Sequence, residues 1–304
     1  MRTVTVSAPY RIDLAGGWSD TSPMSEECGG VVLNVAVEII GRPRLIARAS
    51  PDLDWFGGYQ DLKTAVRRVA KFSGDVQFES PFPEGTGLGI SSILAACGVA
   101  ACWKLQGREW TNAELAEAAA QVEREMGTDG GWQDQWGAIV PGAKLLTGRT
   151  ASDVIAHPVA CEGLAERLIL ADTGNSRLAA DILHRVVGFY RDKATYPIWK
   201  GVFHGLQEGA RDASEFTIAA DWSELGRCLI ETERLSETFT GACSEDEFAF
   251  LRNTCHGWKY CGAGGGGFMI ALAHDVDGAK AALREHGLTV YNWRVADEGL
   301  RVEE

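Results

Sequence analysis

The sequence predicts mixed strands and helices arranged in two domains, and three observations carry that expectation. Short alternating or apolar segments are interleaved with longer stretches of helical spacing along the whole chain. Its 304 residues are enough for one large domain or two ordinary ones. Composition loosens into Gly, Thr, Ser and Pro over residues 147–165, which places the division there, with domains over 1–155 and 156–304.

Taken in order, residues 3–14 alternate polar and apolar side chains and read as one or two strands. Gly16-Gly17-Trp18-Ser19-Asp20 is a turn, and a polar stretch follows to Gly29-Gly30. Residues 31–37 and 44–49 read as strands, and 76–79 as a short one. The spacing of Leu62, Val66, Val69 and Ala70 predicts a helix over 62–72. Ala-rich and Leu-rich sequence predicts another over 93–103, and Thr111-x-x-Glu114 is a capping box that opens a helix running to Met126. Residues 127–137 read as a loop. Beyond the division, Leu168–Asp172 and Phe268–Ala273 read as strands and 288–295 as a closing strand. Ala179–Arg191, 198–213, Trp222–Thr240, 245–256 and Val276–Glu285 read as helices.

The stretch with the most chemical content is Pro83-Glu84-Gly85-Thr86-Gly87-Leu88-Gly89-Ile90-Ser91-Ser92. Glycines at alternate positions let the backbone turn sharply and present its N–H groups. The loop opens into a helix N-terminus, where unpaired donors and the dipole both favour an anion. No Lys or Arg lies between Lys71 and Lys104, so backbone rather than side-chain charge would hold a phosphate there. A Walker A loop requires Gly-Lys, which the chain lacks, and a Rossmann fingerprint is excluded by Ile90 just past the last glycine. The run 262–267 does contain G-x-G-x-x-G, but a strand follows it, so the dinucleotide reading fails there too. Its small residues instead imply close approach by a neighbouring loop or a ligand.

Composition narrows the partners. With 45% hydrophobic and 23% charged residues the chain is of globular type, and a net charge of −13 opposes nucleic acid or an anionic membrane surface. No apolar run approaches the length of a membrane span, and the N-terminus lacks the core of a signal peptide. Eight cysteines show neither a C-x-x-C pair nor zinc-ligand spacing with His, which fits reduced thiols and a cytoplasmic protein.

On the 111–126 helix, Leu115, Ala116, Ala119, Val122 and Met126 form the apolar arc, and Glu123 falls inside it. A carboxylate there needs a cation or a donor. A salt-bridged structural Glu and a functional one both satisfy that need. The following loop, Gly127-Thr128-Asp129-Gly130-Gly131-Trp132-Gln133-Asp134-Gln135-Trp136-Gly137, sets a compact polar cluster between glycines, where a site is expected.

Three stretches together resemble the sugar and metabolite kinases of the GHMP superfamily. They are Ala8-Pro9-Tyr10-Arg11-Ile12-Asp13-Leu14-Ala15-Gly16-Gly17, then residues 83–92, then 261–267 preceded by Lys259, in the family's order and spacing. Gly17-Trp18-Ser19-Asp20-Thr21-Ser22-Pro23 and Gly131-Trp132-Gln133-Asp134-Gln135 are most similar in wording to L-fucokinases, and heptose-phosphate kinases share much of the pattern. Ile90 departs from the family's usual Ser or Thr, and the chain matches only the kinase portion of fucokinases that are often much longer.

The resemblance implies a two-domain α+β fold, with an N-terminal half like the ribosomal S5 second domain and a ferredoxin-like C-terminal half. It implies transfer of the ATP γ-phosphoryl to the anomeric hydroxyl of a hexose, L-fucose foremost. A heptose 7-phosphate acceptor and a catalytically silent sugar sensor are the alternatives. By motif, Pro83, Gly85, Thr86, Gly87, Leu88, Gly89, Ile90, Ser91 and Ser92 would wrap the phosphates, and Gly262, Ala263 and Gly264 would close over them. Ser91 and Glu123 would hold Mg²⁺, a hard cation that takes oxygen ligands. Asp134 would face the reacting hydroxyl with Arg11 beside it, and an adjacent cation favours the carboxylate form. Asp20, Trp18, Gly17, Gly131 and Trp132 would hold the sugar. The implied partners are ATP and a small sugar, and the sequence leaves a homodimer open.

Overall fold

The computed structural model describes residues 2–52, 58–128, 130–175, 179–241, 244–262 and 264–303. The first alternating stretch becomes two strands, β1 (Val4–Ala8) and β2 (Tyr10–Ala15), parted at Pro9, which has no N–H to give to a ladder. A short helix, α1 (Met24–Cys28), occupies the polar stretch before β3 (Gly30–Ile39) and β4 (Leu45–Ser50). Then come α2 (Gln60–Ala70), β5 (Asp75–Glu79), α3 (Ile90–Leu105) and α4 (Asn112–Glu125), followed by α5 (Gln133–Ile139), β6 (Ala143–Gly148) and β7 (Ile155–Val159). The chain continues through α6 (Leu164–Arg167), β8 (Leu168–Asp172), α7 (Ala179–Arg191), α8 (Tyr196–Ala219), α9 (Trp222–Thr240) and α10 (Ser244–Glu247). It ends with β9 (Cys255–Tyr260), β10 (Phe268–Ala273), α11 (Val276–Glu285), β11 (Thr289–Tyr291), β12 (Trp293–Val295) and β13 (Arg301–Glu303).

These elements form the expected α+β fold. One sheet runs β13-β1-β4-β5, and a second runs β12-β3-β6-β7 with β2 also paired to β3. The third runs β11-β8-β10-β9 and is antiparallel throughout. Counted along the chain, its strand order is 4-1-3-2, with α7 to α10 in the first crossover and α11 in the second. That is the ferredoxin-like arrangement.

Helix α3 is the centre of the first half. Thirteen of its sixteen residues are buried, so it is apolar on every side and must be covered on every side. It packs on β1 and β4 and against α2 and α4. The capping box of α4 forms as read, with the Thr111 hydroxyl accepting from the Glu114 amide at 3.2 Å and the Glu114 carboxylate accepting from the Thr111 amide at 2.7 Å.

Three expectations about local structure are corrected. Residues 133–137 belong to helix α5 rather than a loop. The expected helix at 245–256 shrinks to α10 and a single 3₁₀ turn (Ala249–Leu251), because residues from Cys255 onward pair with β10. Ladder pairing there overrides local propensity. The closing strand at 288–295 is two strands, β11 on the third sheet and β12 on the second.

The division at 155/156 falls within β7, which pairs with β6, and β12 and β13 return residues 293–303 to the first two sheets. As a statement of where two folding units part, that division is a proposal; the first two sheets are shared across it, and the third lies wholly beyond it.

The run 262–267 presses on the loop at 83–92. A Cβ on Gly267, whose φ is +77°, would lie 2.4 Å from the Thr86 carbonyl oxygen, and the Phe268 amide donates to that same oxygen at 2.8 Å. Gly107 is also left-handed, at φ +72°, but faces open space. Gly107→Ala should therefore cost about 1–2 kcal/mol, the penalty for an L-residue in that region, and Gly267→Ala clearly more. Urea unfolding of both variants checks this, and equal losses would show that the two loops do not press on each other.

Candidate active site

The loop at 83–92 owes its path to Gly87 and Gly89, with φ of +82° and +73°, values that an L-residue avoids. Gly89 precedes α3 without any side-chain cap, so the amides of the first turn of α3 have no partner within the helix. The loop chamber is lined by Gly85, Thr86, Gly87, Gly89, Ile90, Ser91, Ser92, Cys261, Gly262, Gly264 and Gly266, with Arg11, Glu123 and Asp134 at one end. A Cβ on Gly87 would lie 2.3 Å from the Cys261 carbonyl oxygen. The close approach expected of the second glycine run is thus made to the first.

Arg11 and Asp134 meet directly beneath the start of α3. Arg11 is 3% exposed, and its Nε and Nη2 both contact Asp134 Oδ1, at 2.6 and 2.5 Å. Its Nη1 donates to the Gly87 carbonyl at 2.5 Å. Burial works against the Arg11 charge, but Asp134 and Asp13 outweigh it and hold the guanidinium above its ordinary pKa. Asp134 keeps partial access to solvent.

On the other side of Asp134 lies a second chamber lined by Trp18, Asp20, Thr21, Thr128, Gly130, Gly131, Gln133, Leu183 and Gly262. The two chambers share Arg11, Ser92, Glu123, Thr128, Asp134 and Gly262. Asp20 is held by the Gln133 amide at 3.0 Å and by Gln133 Nε2 at 3.2 Å. Gly131 makes room for it, since a Cβ there would sit 1.8 Å from Asp20 Oδ2. Trp18 lines this chamber and packs edge-on against Phe239, with ring centroids 5.6 Å apart.

Several residues expected at the site stand elsewhere. The Trp132 ring lies in the core against Gly30 and does not line the chamber. Gly17 faces Asp13, whose Oδ2 a Cβ would meet at 2.2 Å. Leu88 is fully buried, and Pro83 only accepts a hydrogen bond from the Thr86 hydroxyl through its carbonyl. Ala263 lies outside the described residues. The hydroxyl on Glu123 belongs to Ser92, at 2.5 Å, rather than to Ser91. Gln135 Nε2 meets the other Glu123 oxygen at 2.5 Å. The roles of Gln133 and Gln135 had no sequence signal, because each partner is at least twelve residues away.

Residues 60–142 match the family described as GHMP kinases N terminal domain. The bifunctional fucokinase/GDP-fucose pyrophosphorylase of Arabidopsis thaliana is 31% identical over 97% of this chain and 32% of its own length. Over residues 60–142 the chain carries a GHMP kinase N-terminal domain. It spans about a third of the length of the curated fucokinase relatives it matches. The D-glycero-alpha-D-manno-heptose 7-phosphate kinase of Campylobacter jejuni is 27% identical, and the match covers 99% of each chain. A crystal structure of a D-glycero-D-manno-heptose 1-phosphate kinase from Bacteroides thetaiotaomicron superposes with a TM-score of 0.73 at 20% identity, covering 99% of each chain.

Two carboxyl groups of the site are held in protonated-leaning environments. Burial raises Glu123 to about 8, with the Asp134 charge adding to it. Burial likewise raises Asp20 to about 7, against the pull of the Gln133 amide. An acid whose pKa is raised on folding keeps its proton longer in the fold than in the unfolded chain. Its contribution is full below the unfolded value and is lost as pH climbs to the folded one. Ligand-free protein should therefore lose stability from about pH 5 to about pH 8, and Glu123→Gln should flatten that slope. Chemical denaturation at stepped pH checks this; an unchanged slope in the variant would place the Glu123 proton elsewhere.

Proposed function

We propose that this chain is an ATP-dependent sugar 1-kinase that moves the γ-phosphoryl of ATP to the anomeric hydroxyl of a hexose, with L-fucose as the favoured acceptor. The observation that carries this reading is the junction of the two chambers at Asp134, Ser92 and Glu123. A triphosphate cupped by the amides of 85–92 would extend toward that junction, and a sugar held by Asp20 would present its hydroxyl from the other side.

Phosphoryl transfer depends on positioning and charge neutralisation more than on covalent help. Both Arg11 contacts fall on Asp134 Oδ1, so Oδ2 is left to orient the acceptor hydroxyl and take its proton. Arg11 fixes that carboxylate and ties it to the loop through the Gly87 carbonyl. The donor set near the phosphates suits Mg²⁺. Glu123 and Ser92 supply hard oxygens side by side, and no cluster of three acidic, His or Cys side chains that would cage a metal unaided occurs among the described residues. A cation of this kind keeps water and phosphate oxygens as most of its ligands. It would neutralise the developing phosphate charge.

The named relatives act on fucose and on heptose phosphates. Among the described residues, Arg11 is the only Lys or Arg lining the sugar chamber, and Asp134 already engages it. That favours an acceptor without a phosphate of its own. A silent sensor has no need of Arg11, Ser92, Glu123 and Asp134 in register.

ATP consumption measured with fucose, galactose, arabinose and the heptose 7-phosphate tests the reading. Fucose-dependent turnover is expected, and no sugar-dependent turnover would overturn it. Asp134→Asn should lower turnover at least ~10²-fold with little change in ATP affinity. Metal titrations should separate the two serines: Ser92→Ala should raise the Mg²⁺ requirement more than Ser91→Ala. The reverse order would restore Ser91 as the metal-side hydroxyl.

A further inference from the structure

We propose that the arginine-lined cavity between the β3–β4 turn, β12 and β13 is a second binding site, for the phosphate or diphosphate group of a small metabolite. Arg42, Arg44, Arg294 and Arg301 line it together with Tyr10 and a single carboxylate, Glu38. It shares no residue with either chamber of the candidate active site. In a chain of net charge −13 four arginines gather here, and exposed Arg42 among them carries a charge that no carboxylate among the described residues offsets.

The bland account is that these arginines tie the returning strands to the first two sheets. Arg294 pairs with Glu38 and lies 3.9 Å from Asp297. Arg301 bonds to Glu298 at 2.8 Å and lies 3.7 Å from Glu303. That account covers Arg294 and Arg301 fully and Arg44 in part, and leaves Arg42 out. Arg42 has no ion pair among the described residues; its guanidinium carbon instead sits 5.7 Å from the Phe82 ring centroid and 5.8 Å from that of Tyr291. Aromatic faces hold the cation in place without neutralising it.

Arg44 forms the half-buried floor. Its Nη2 donates to the carbonyls of Glu298 and Gly299 at 3.0 and 2.5 Å, which fixes the group. Its Nε and Nη1 are buried without a hydrogen-bond partner. The nearest carboxylates, Glu38 and Glu298, stand 4.0 and 3.9 Å from Nη1, beyond hydrogen-bond reach. Burial and Arg301 together push its pKa down, against the pull of Glu38 and Glu298. Guanidinium groups that converge in this way match the several acceptor oxygens of a phosphate better than one carboxylate can.

The site also has a short path to the first chamber. Tyr10 faces the cavity from β2 and precedes Arg11, which faces the other way, as successive strand residues do. Phe82 precedes Pro83, and Phe268 closes the 262–267 run; the Phe82 ring packs edge-on against Tyr10, Phe268 and Tyr291.

Calorimetric titration of inorganic phosphate, pyrophosphate and glucose 1-phosphate into full-length protein tests this, with a non-hydrolysable ATP analogue saturating the nucleotide loop. Binding of at least one probe is expected. It should weaken at least tenfold in Arg42→Gln, vanish in the double variant Arg42→Gln/Arg294→Gln, and be unchanged in Arg234→Gln, whose side chain pairs with Glu245 elsewhere. The tightest probe identifies the group recognised. No binding by any probe, or equal affinity in Arg42→Gln, overturns the proposal. If the double variant fails to fold, Arg42→Gln decides alone, since it breaks no ion pair.

Discussion

The arrangement depends on the burial of the Arg11 guanidinium. A charge taken out of water is costly unless partners surround it, and removing one partner of a buried pair typically costs about 3–5 kcal/mol. Here the partners reach Arg11 of β2 from two distant places in the chain: Asp134 on α5 and the Gly87 carbonyl in the first glycine loop. One cation therefore fixes the distance between the loop proposed to hold phosphate and the carboxylate proposed to face the acceptor. Strand periodicity adds a second layer. Asp13 lies two residues on and shares the face of Arg11; it meets Lys259 of β9 at 3.4 Å, while Lys259 also donates to the Asp13 carbonyl. The two halves of the molecule are joined directly behind the site by this buried pair.

The glycine-rich loops make sense as a matched set. Each supplies backbone where a side chain would otherwise stand: Gly87 against the Cys261 carbonyl, and Gly267 against the Thr86 carbonyl. Two stretches about 180 residues apart in sequence interlock through main-chain atoms, which is why neither could be understood alone. The price of such contact is left-handed backbone at many positions, and the Arg11 and Phe268 hydrogen bonds to loop carbonyls hold it in place.

Local signals were legible wherever chemistry is local. The Thr111–Glu114 cap, the apolar periodicity of α9 and α11, and the carboxylate of Glu123 within an apolar arc all stand where the sequence puts them. So does the meeting of Arg11 and Asp134, which the family motifs imply and no spacing rule could reach. What escaped the sequence was decided by tertiary geometry. Cys255 and the residues after it become strand only because β10 is waiting beside them. Whether Ser91 or Ser92 points at Glu123 turns on helix phase at the first turn of α3, where adjacent residues face different sides. Trp132 reads as a pocket wall until its burial against Gly30 is seen. Asp20 reads as a sugar ligand in the letters, but its clamp by Gln133 does not.

The pairing of β1 with β13 matches Thr5 to Glu303, and β12 lies on β3. During synthesis the opening strands emerge at a few to some twenty residues each second, long before their neighbours exist. The first-formed half must then wait, with two sheet edges unsatisfied, until nearly all of the described chain has left the ribosome. Such bare edges attract foreign strands. Protection of those edges until the last strands arrive is thus a requirement of folding that the finished core does not display.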